Sequence, residues 1–214
     1  MTTTTDTAAS TDRTEALTSS LLAAGWSYLR EVYTEPQWHS QTHEMQSPDG
    51  RLRLDASLFP DGQMIARLSA EAVRTGSVPR PPWMTDLHEV PLATALAAIK
   101  AASGPELEPD EKARLAQAFG QNIGPDLVEA QLRAKGWEES TDPETDRDGC
   151  ITEIEWESEN GERHVLWHAE DRFDSGGWIV TRWHTDEQGV SRSADTQASQ
   201  YTPAAVITAL ALTD

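Results

Sequence analysis

Cysteine is nearly absent from this sequence, which has only Cys150. One thiol cannot build a disulfide framework or a multi-thiolate metal site, so we expect a cytoplasmic protein. No apolar run approaches the roughly 18 residues of a membrane-spanning helix. The Thr-rich and Ala-rich residues 1–13 lack the basic and apolar regions of a signal peptide. We expect this polar tail to be disordered and expect no membrane contact.

Basic residues are scarce as well. The chain has 17 Lys and Arg against 36 Asp and Glu, which gives a net charge of −19. Residues 1–102 carry 12 acidic and 8 basic side chains, whereas residues 103–214 carry 24 and 9. Binding to bare DNA or RNA requires a cationic face, so direct contact with nucleic acid is not expected.

The two halves of the chain resemble each other. Six residues recur 111 positions later without a gap: Leu21, Gly25, Trp26, Glu44, Ser47 and Gly50 return as Leu132, Gly136, Trp137, Glu155, Ser158 and Gly161. This period exceeds that of solenoid repeats, so each copy is long enough for its own core. We predict an internal duplication: a first α+β repeat at residues 14–101, a helical connector at 102–123 and a second, acidic repeat at 124–214.

Each half shows the same series of local patterns. Apolar residues at helical spacing end at Gly25 and at Gly136, and we expect the tryptophan after each glycine to anchor its helix in the core. Pro91 introduces one closing helix, and Thr202-Pro203 caps the other. Alternating segments between the helices predict strands at 42–45, 52–56 and 64–68, and at 151–157, 163–168 and 178–184, with hairpin turns at 47–50 and 159–161. The predicted fold class is α+β, with two similar domains of helix, antiparallel meander and helix joined by a short helix.

A family resemblance follows from these motifs. The Gly-Trp helix end, the hairpin Ser47-Pro48-Asp49-Gly50-Arg51, a strand that carries tryptophan and the Thr202-Pro203 helix start together resemble the actinobacterial SPDY-motif domain of unknown function. Two such domains would cover residues 14–101 and 124–212. The second copy has Ser158-Glu159-Asn160-Gly161 in place of the motif, so its membership depends on the duplication. The resemblance implies an actinobacterial cytoplasmic protein without an assigned reaction.

Residues 138–162 hold eleven acidic side chains and one basic side chain, Arg147. Four glutamates alternate with residues that a core could bury, which predicts a strand with one face of carboxylates: Glu153, Glu155, Glu157 and Glu159. A second set of acids precedes them: Asp142, Glu144, Asp146 and Asp148. Like charges on one strand face repel each other. Either Arg163, Arg172 or Arg182 neutralises the glutamates across the sheet, or the acids serve a partner.

Three further interpretations of the acidic segment stay open. The first is mimicry of nucleic acid, although same-face residues on a strand are about 6.7 Å apart and phosphates on one DNA strand only about 3.4 Å, so a second acidic row is needed. The second is calcium binding, since six residues have the spacing of an EF-hand-like loop: Glu144, Asp146, Asp148, Gly149, Ile151 and Glu155. A glutamate at the first position and a strand-like flank depart from that motif. The third is a solvated acidic loop.

The chain contains three Trp-His pairs: Trp38-His39, Trp167-His168 and Trp183-His184. Neighbours on a strand face opposite sides, so we expect each tryptophan in the core and each histidine outside. His39 and His43 could lie on one face, but no third ligand follows nearby in sequence. We therefore predict no metal site.

Motifs of catalysis are missing, among them the Gly-x-Ser-x-Gly elbow, the phosphate-binding loop and the dinucleotide fingerprint. We predict a non-catalytic acidic interaction protein without a cofactor. Its two acidic sets would bind a basic protein partner, most plausibly one that itself handles DNA. A DNA-mimic inhibitor of a nucleic-acid-binding protein is the first alternative, and an enzyme with a site between the two repeats is the second.

Overall fold

The computed structural model describes residues 15–30, 32–35, 37, 40–59, 64–72, 82–87, 90–104, 123–140, 142–169, 176–185 and 189–213. In chain order these residues form α1 (15–23), β1 (Ser27–Tyr28), β2 (Tyr33–Glu35), β3 (Ser40–Gln46), β4 (Leu52–Leu58), β5 (Met64–Ala70), β6 (Trp83–Asp86), α2 (Leu92–Ala102), α3 (Ile123–Arg133), β7 (Glu138–Glu139), β8 (Glu144–Thr145), β9 (Ile151–Glu157), β10 (Arg163–His168), β11 (Gly177–Thr185), β12 (Ser191–Ser199) and α4 (Ala204–Leu212).

The strands form one antiparallel sheet that runs through both halves of the chain. Its order is β1-β3-β4-β5-β6-β12-β11-β10-β9-β7, with β2 also paired to β3 and β8 also paired to β9. The halves meet where β6 pairs with β12, at Thr85 opposite Ala198. The predicted α+β class is confirmed, with more sheet than helix.

One face of the sheet is buried and the other is open to solvent. Side chains alternate between the two faces of a strand, so residues aligned across the strands share a face. One such row crosses eight strands and is buried throughout: Met45, Leu54, Leu68, Thr85, Ala198, Trp178, Trp167 and Ile154. It joins the apolar residues of the four described helices in one core. The fold therefore has two layers, with the helices on one face of the sheet, here called the helix face.

The helices end as predicted. Gly25 and Gly136 have positive φ angles of 86° and 81°, which glycine adopts without steric cost. The next residues, Trp26 and Trp137, each donate a backbone N–H to the leucine five positions earlier, at 3.0 and 3.2 Å. Their side chains are only 5% and 6% exposed, so both predicted anchors are confirmed.

The six predicted strands are confirmed, with small extensions at four of them. The two strands that join the halves, β6 and β12, were not predicted from the sequence. The helix start predicted at Thr202-Pro203 is observed at α4. Pro203 is the N-cap and has no side-chain cap bond, while the Thr202 hydroxyl donates to the Met84 carbonyl oxygen on β6 at 3.1 Å. Thr202 thus ties the helix start to the seam between the halves.

Local pairings recur with the 111-residue offset. Ser27 on β1 lies opposite Gln46 on β3, and Glu138 on β7 lies opposite Glu157 on β9. The turns at residues 47–50 and 158–161 close in the same way, with bonds of 2.9 and 2.8 Å between first and fourth residues. The duplication itself stays a prediction. The predicted tail at residues 1–13 and most of the connector lie outside the described residues. No described helix has both the length and the apolar character that crossing a membrane requires.

Candidate functional site

The acidic face predicted for β9 exists on the open side of the sheet. Ile154 and Trp156 are buried in the core, and strand alternation turns Glu153, Glu155 and Glu157 to the other face, where they are partly exposed. The strand ends at Glu157 because the chain enters the hairpin turn. The fourth predicted ladder residue, Glu159, lies exposed in that turn and outside the row.

A second row of carboxylates runs beside the first. Glu144 on β8 is aligned with Glu153, and Glu138 on β7 is aligned with Glu157. Paired strands lie about 4.8 Å apart, so the five carboxylates occupy a small patch at one end of the sheet. We call these five residues the acidic edge: Glu138, Glu144, Glu153, Glu155 and Glu157. Glu138 was not predicted as a site residue, because a two-residue strand leaves no periodic pattern in the sequence.

Hydrogen bonds hold the centre of the acidic edge. The Ser140 hydroxyl donates to Glu155 Oε2 at 2.6 Å, and His164 Nδ1 lies 3.0 Å from Glu155 Oε1. His164 Nε2 is 3.8 Å from Glu157 Oε1. His168, four residues further along β10, is aligned with Glu153. The acidic edge therefore lies beside two imidazoles on the neighbouring strand.

The arginines expected to neutralise the glutamates lie elsewhere. Arg163 and Arg182 share the helix face with the buried residues of their strands, and their guanidinium groups donate to carbonyl oxygens at the C-terminal end of α4. Arg163 Nη1 is 3.0 Å from Ala211 O, and Arg182 Nη2 is 2.7 Å from Thr213 O. A cation at a helix C-terminus is stabilised by the helix dipole. The expected pairing with the acidic face is wrong for these two, and Arg172 lies outside the described residues.

The remaining acids predicted to bind a partner lie in the hairpin before β9. Asp142 and Asp148 are exposed, and Asp146 Oδ1 accepts the backbone N–H groups of Asp148 and Cys150, both at 2.9 Å. Asp146 thus stabilises the turn, and Glu144 is the member of this set that joins the acidic edge. Within the described residues, no three His, Cys, Asp or Glu side chains converge as metal ligands.

The Trp-His pairs differ from one another. Trp167 is 8% exposed and His168 lies on the open face, as predicted. Trp183 is 45% exposed, so its predicted place in the core is wrong. The pair Trp38-His39 lies outside the described residues. The structure therefore does not test whether His39 and His43 share a face.

The edge of the first half has the same pairing with different chemistry. Glu44, the counterpart of Glu155, forms a two-pronged ion pair with Arg30, at 2.6 and 2.7 Å. This contact raises the pKa of the Arg30 guanidinium. Thr42 and Gln46 stand where the second half has Glu153 and Glu157. The neighbouring Asp55 has a raised pKa because of its burial and because of Glu44.

Further acids on the open face of the first half are also paired with arginine. Arg67 Nε lies 2.8 Å from Asp86 Oδ1, and Arg53 Nη2 lies 2.8 Å from Glu71 Oε1. The two halves thus share strand register while they differ in how their carboxylates are compensated. Comparison with protein-family models, with curated proteins and with solved structures finds no match to this chain.

Proposed function

We propose that this chain is a non-catalytic interaction protein of the cytoplasm, formed by duplication of an SPDY-like α+β unit. In this proposal the acidic edge of the second unit binds a basic protein partner that itself handles DNA. The first unit supplies the same scaffold with its acids neutralised by arginine.

One observation carries the proposal. Both edges have the same strand register, but the first has neutral residues or an Arg-paired glutamate where the second has three glutamates in a row. Because Thr42 and Gln46 complete the first edge, the fold does not require carboxylates at these positions. Side chains that repel one another and that the fold does not need are best explained by a ligand of opposite charge.

The geometry suits a rigid contact with cations. The glutamates project from paired strands, so a partner binds them without first ordering a loop. Opposite charges on the two proteins accelerate their association. Added salt slows this association, because exposed charges are screened within about 10 Å at 0.1 M ionic strength.

A labelled oligo-arginine peptide tests this proposal by titration. Replacing three acids of the edge (Glu138→Gln, Glu153→Gln, Glu157→Gln) should weaken binding about tenfold, at roughly 0.5 kcal/mol for each exposed charge. The matched control removes three acids elsewhere (Glu15→Gln, Glu71→Gln, Glu129→Gln) and gives the same net charge. Equal effects of the two triple variants would mean that net charge alone attracts the peptide, and the proposed site would be refuted.

The second row of carboxylates favours a second candidate, a DNA-mimic inhibitor. Mimicry of DNA requires a second acidic row beside the glutamates of β9, and Glu138 and Glu144 supply it. A mimic must displace duplex DNA from its target, whereas a partner that binds through another surface leaves the duplex bound. Titration of the protein into a basic DNA-binding protein loaded with a fluorescent duplex separates the two, because only mimicry releases the duplex.

A further inference from the structure

Exposed apolar side chains cluster at the outer edge of the sheet in the first half. Ten large apolar side chains are exposed in the described part of the chain, and four of them lie within residues 28–33. Each of the four is between 37% and 43% exposed. Grouped apolar side chains on a surface mark an interaction site, whereas scattered ones do not. We call these four residues the apolar edge: Tyr28, Leu29, Val32 and Tyr33.

The backbone of the apolar edge is also open to a partner. Tyr28 on β1 and Tyr33 on β2 belong to strands that pair with β3. Leu29 donates its backbone N–H to the Glu44 carbonyl oxygen on the same strand at 2.9 Å. Among the described residues, no strand pairs with the outer side of β1 or β2. An edge strand with a free backbone and apolar side chains is a template for pairing with another chain.

The second half shows that the fold does not need these apolar side chains. The pairing of β1 and β2 with β3 has the same register as that of β7 and β8 with β9. Glu139 stands in the place of Tyr28, and Glu144 stands in the place of Tyr33. Apolar groups in contact with water are unfavourable, and the fold accepts glutamate here. A partner that covers the apolar edge explains why they are present.

The charges of the chain favour a second copy of it as that partner. Arg30 forms an ion pair with Glu44, and its guanidinium carbon lies 5.6 Å from the centre of the Tyr33 ring. These two charges compensate each other, so the pair attracts neither a basic nor an acidic protein. Residues 1–102 carry a net charge of −4, from 12 acids and 8 bases, out of −19 for the whole chain. Two copies therefore repel each other least through this half.

We propose that two copies of this chain form a dimer about a two-fold axis, with the apolar edge of one against the apolar edge of the other. The same patch is then buried on both chains, so the assembly closes and does not grow into a fibre. The acidic edge lies at the other end of the strand order and stays exposed. A contact between the apolar edge and an acidic edge would instead remove carboxylates from water without a counter-charge. The dimer does not depend on the proposed function.

Sedimentation equilibrium over a wide range of protein concentration tests the dimer. The wild-type protein should have twice the mass of one chain at high concentration and should dissociate on dilution. Tyr33→Glu, which copies Glu144, should weaken association about a hundredfold, because a loss of about tenfold occurs on each side of a two-fold contact. Tyr201→Glu is the matched control. It adds the same charge at a tyrosine outside the apolar edge that is 53% exposed, and it should change the dissociation constant less than about twofold.

A second substitution makes the test independent of charge. Leu29→Ser copies Ser140 at the corresponding place in the second half and should weaken association about tenfold. Val190→Ser, at an exposed valine in the second half, is its control. Circular dichroism of every variant confirms that the folded protein is measured. Added salt should leave the dimer intact or strengthen it, because apolar contacts remain while the repulsion between two acidic chains is screened.

Three results would overturn the proposal. The first is a wild-type protein that stays monomeric at every concentration. The second is equal weakening by Tyr33→Glu and Tyr201→Glu, which would mean that the added charge alone opposes association. The third is growth beyond a dimer, which would mean that the apolar edge meets a different surface of the next chain. The triple glutamine variant of the acidic edge should still dimerise, so a failure of the dimer and a failure of the proposed function are separate results.

Discussion

The hairpin turn between β3 and β4 is built around one carboxylate. Asp49 Oδ1 accepts the Ser47 hydroxyl at 2.6 Å and the backbone N–H of Arg51 at 3.1 Å. Its other oxygen, Oδ2, accepts Arg51 Nε at 2.5 Å. These contacts, with the Ser47 hydroxyl as the largest cause, lower the pKa of Asp49 to about 2.

The turn between β9 and β10 has the same three bonds, with donor and acceptor exchanged in the third. Asn160 Oδ1 accepts the Ser158 hydroxyl at 2.9 Å and the backbone N–H of Glu162 at 3.2 Å. Asn160 Nδ2 donates to Glu162 Oε2 at 2.7 Å, where the first turn has an arginine that donates to an aspartate. We therefore expect each turn to depend on a matched pair, Asp49 with Arg51 or Asn160 with Glu162, rather than on one residue of the pair.

A double-mutant cycle tests this coupling. Asp49→Asn turns an amide N–H₂ toward the Arg51 guanidinium, and Arg51→Glu puts two carboxylates side by side. Asp49 is 48% exposed and Arg51 33%, so we scale the effect down for solvent screening and expect each single change to cost about 1 kcal/mol. The double variant recreates the Asn160–Glu162 pair and should unfold within about 0.5 kcal/mol of wild type. Urea denaturation measures all four proteins.

Additive effects of the two changes, with the double variant about 2 kcal/mol less stable, would refute the coupling. The pH dependence provides a second check. The folded-state pKa of Asp49, about 2, lies below its usual value of 3.8. Its stabilisation is thus complete above pH 3.8 and is lost as the pH falls toward 2. The stability gap between wild type and Asp49→Asn should close over that interval.

Three further predictions concern the core and one histidine. Trp137→Ala should lower the free energy of unfolding by about 3–5 kcal/mol, measured by thermal melting, because a buried indole leaves a cavity. Gly177→Ala should lower the free energy of unfolding by about 3 kcal/mol in urea denaturation, since the new Cβ would lie 2.5 Å from the Ala198 carbonyl oxygen. Gly189→Ala is the control: its Cβ meets no atom within 4 Å, and backbone strain alone should cost about 1 kcal/mol. Burial lowers the pKa of His43, so the neutral imidazole is favoured in the folded state. The contribution of His43 to stability is therefore lost as the pH falls below the usual pKa of 6.5. His43→Gln should flatten the pH dependence of stability there, as melting at a series of pH values would show.

The strands that the sequence predicted best have a large apolar residue at every buried position. The bounds of β9 and β10 agree with the prediction. Ile154 and Trp156 alternate with glutamates on β9, and Val165 and Trp167 occupy the buried positions of β10. Burial of such side chains supplies most of the free energy that pairs the strands. Local pattern and tertiary packing therefore indicate the same structure.

The seam between the halves left no comparable pattern. The buried residues of β6 and β12 include Thr85, Thr196 and Ala198, which resemble surface residues in a hydropathy pattern. The bonds across the seam join residues more than a hundred positions apart, such as Met84 N–H to the Ser199 hydroxyl at 3.1 Å. A continuous sheet across both halves could not be read from sequence.

Strand parity could have corrected two errors at the candidate site. Arg163 is two residues from the buried Val165, so alternation places it on the helix face and not beside the glutamates. Trp183 is five residues from the buried Trp178, and an odd separation on one strand places the two indoles on opposite faces. His164 occupies the face that had been assigned to arginine.

The acidic edge should lower the stability of the protein that carries it. Glu138 and Glu157 are aligned across β7 and β9, as are Glu144 and Glu153 across β8 and β9, and like charges in such positions repel by up to about 1 kcal/mol. Glu153→Gln with Glu157→Gln should thus raise the free energy of unfolding by about 1 kcal/mol in dilute buffer. In 1 M salt, where charges are screened within about 3 Å, the gain should disappear. Urea denaturation at both salt concentrations measures this. If the rise in the free energy of unfolding persists at high salt, the shape of these side chains and not their charge limits stability at the acidic edge. The repulsion that would favour a cationic partner would then be absent.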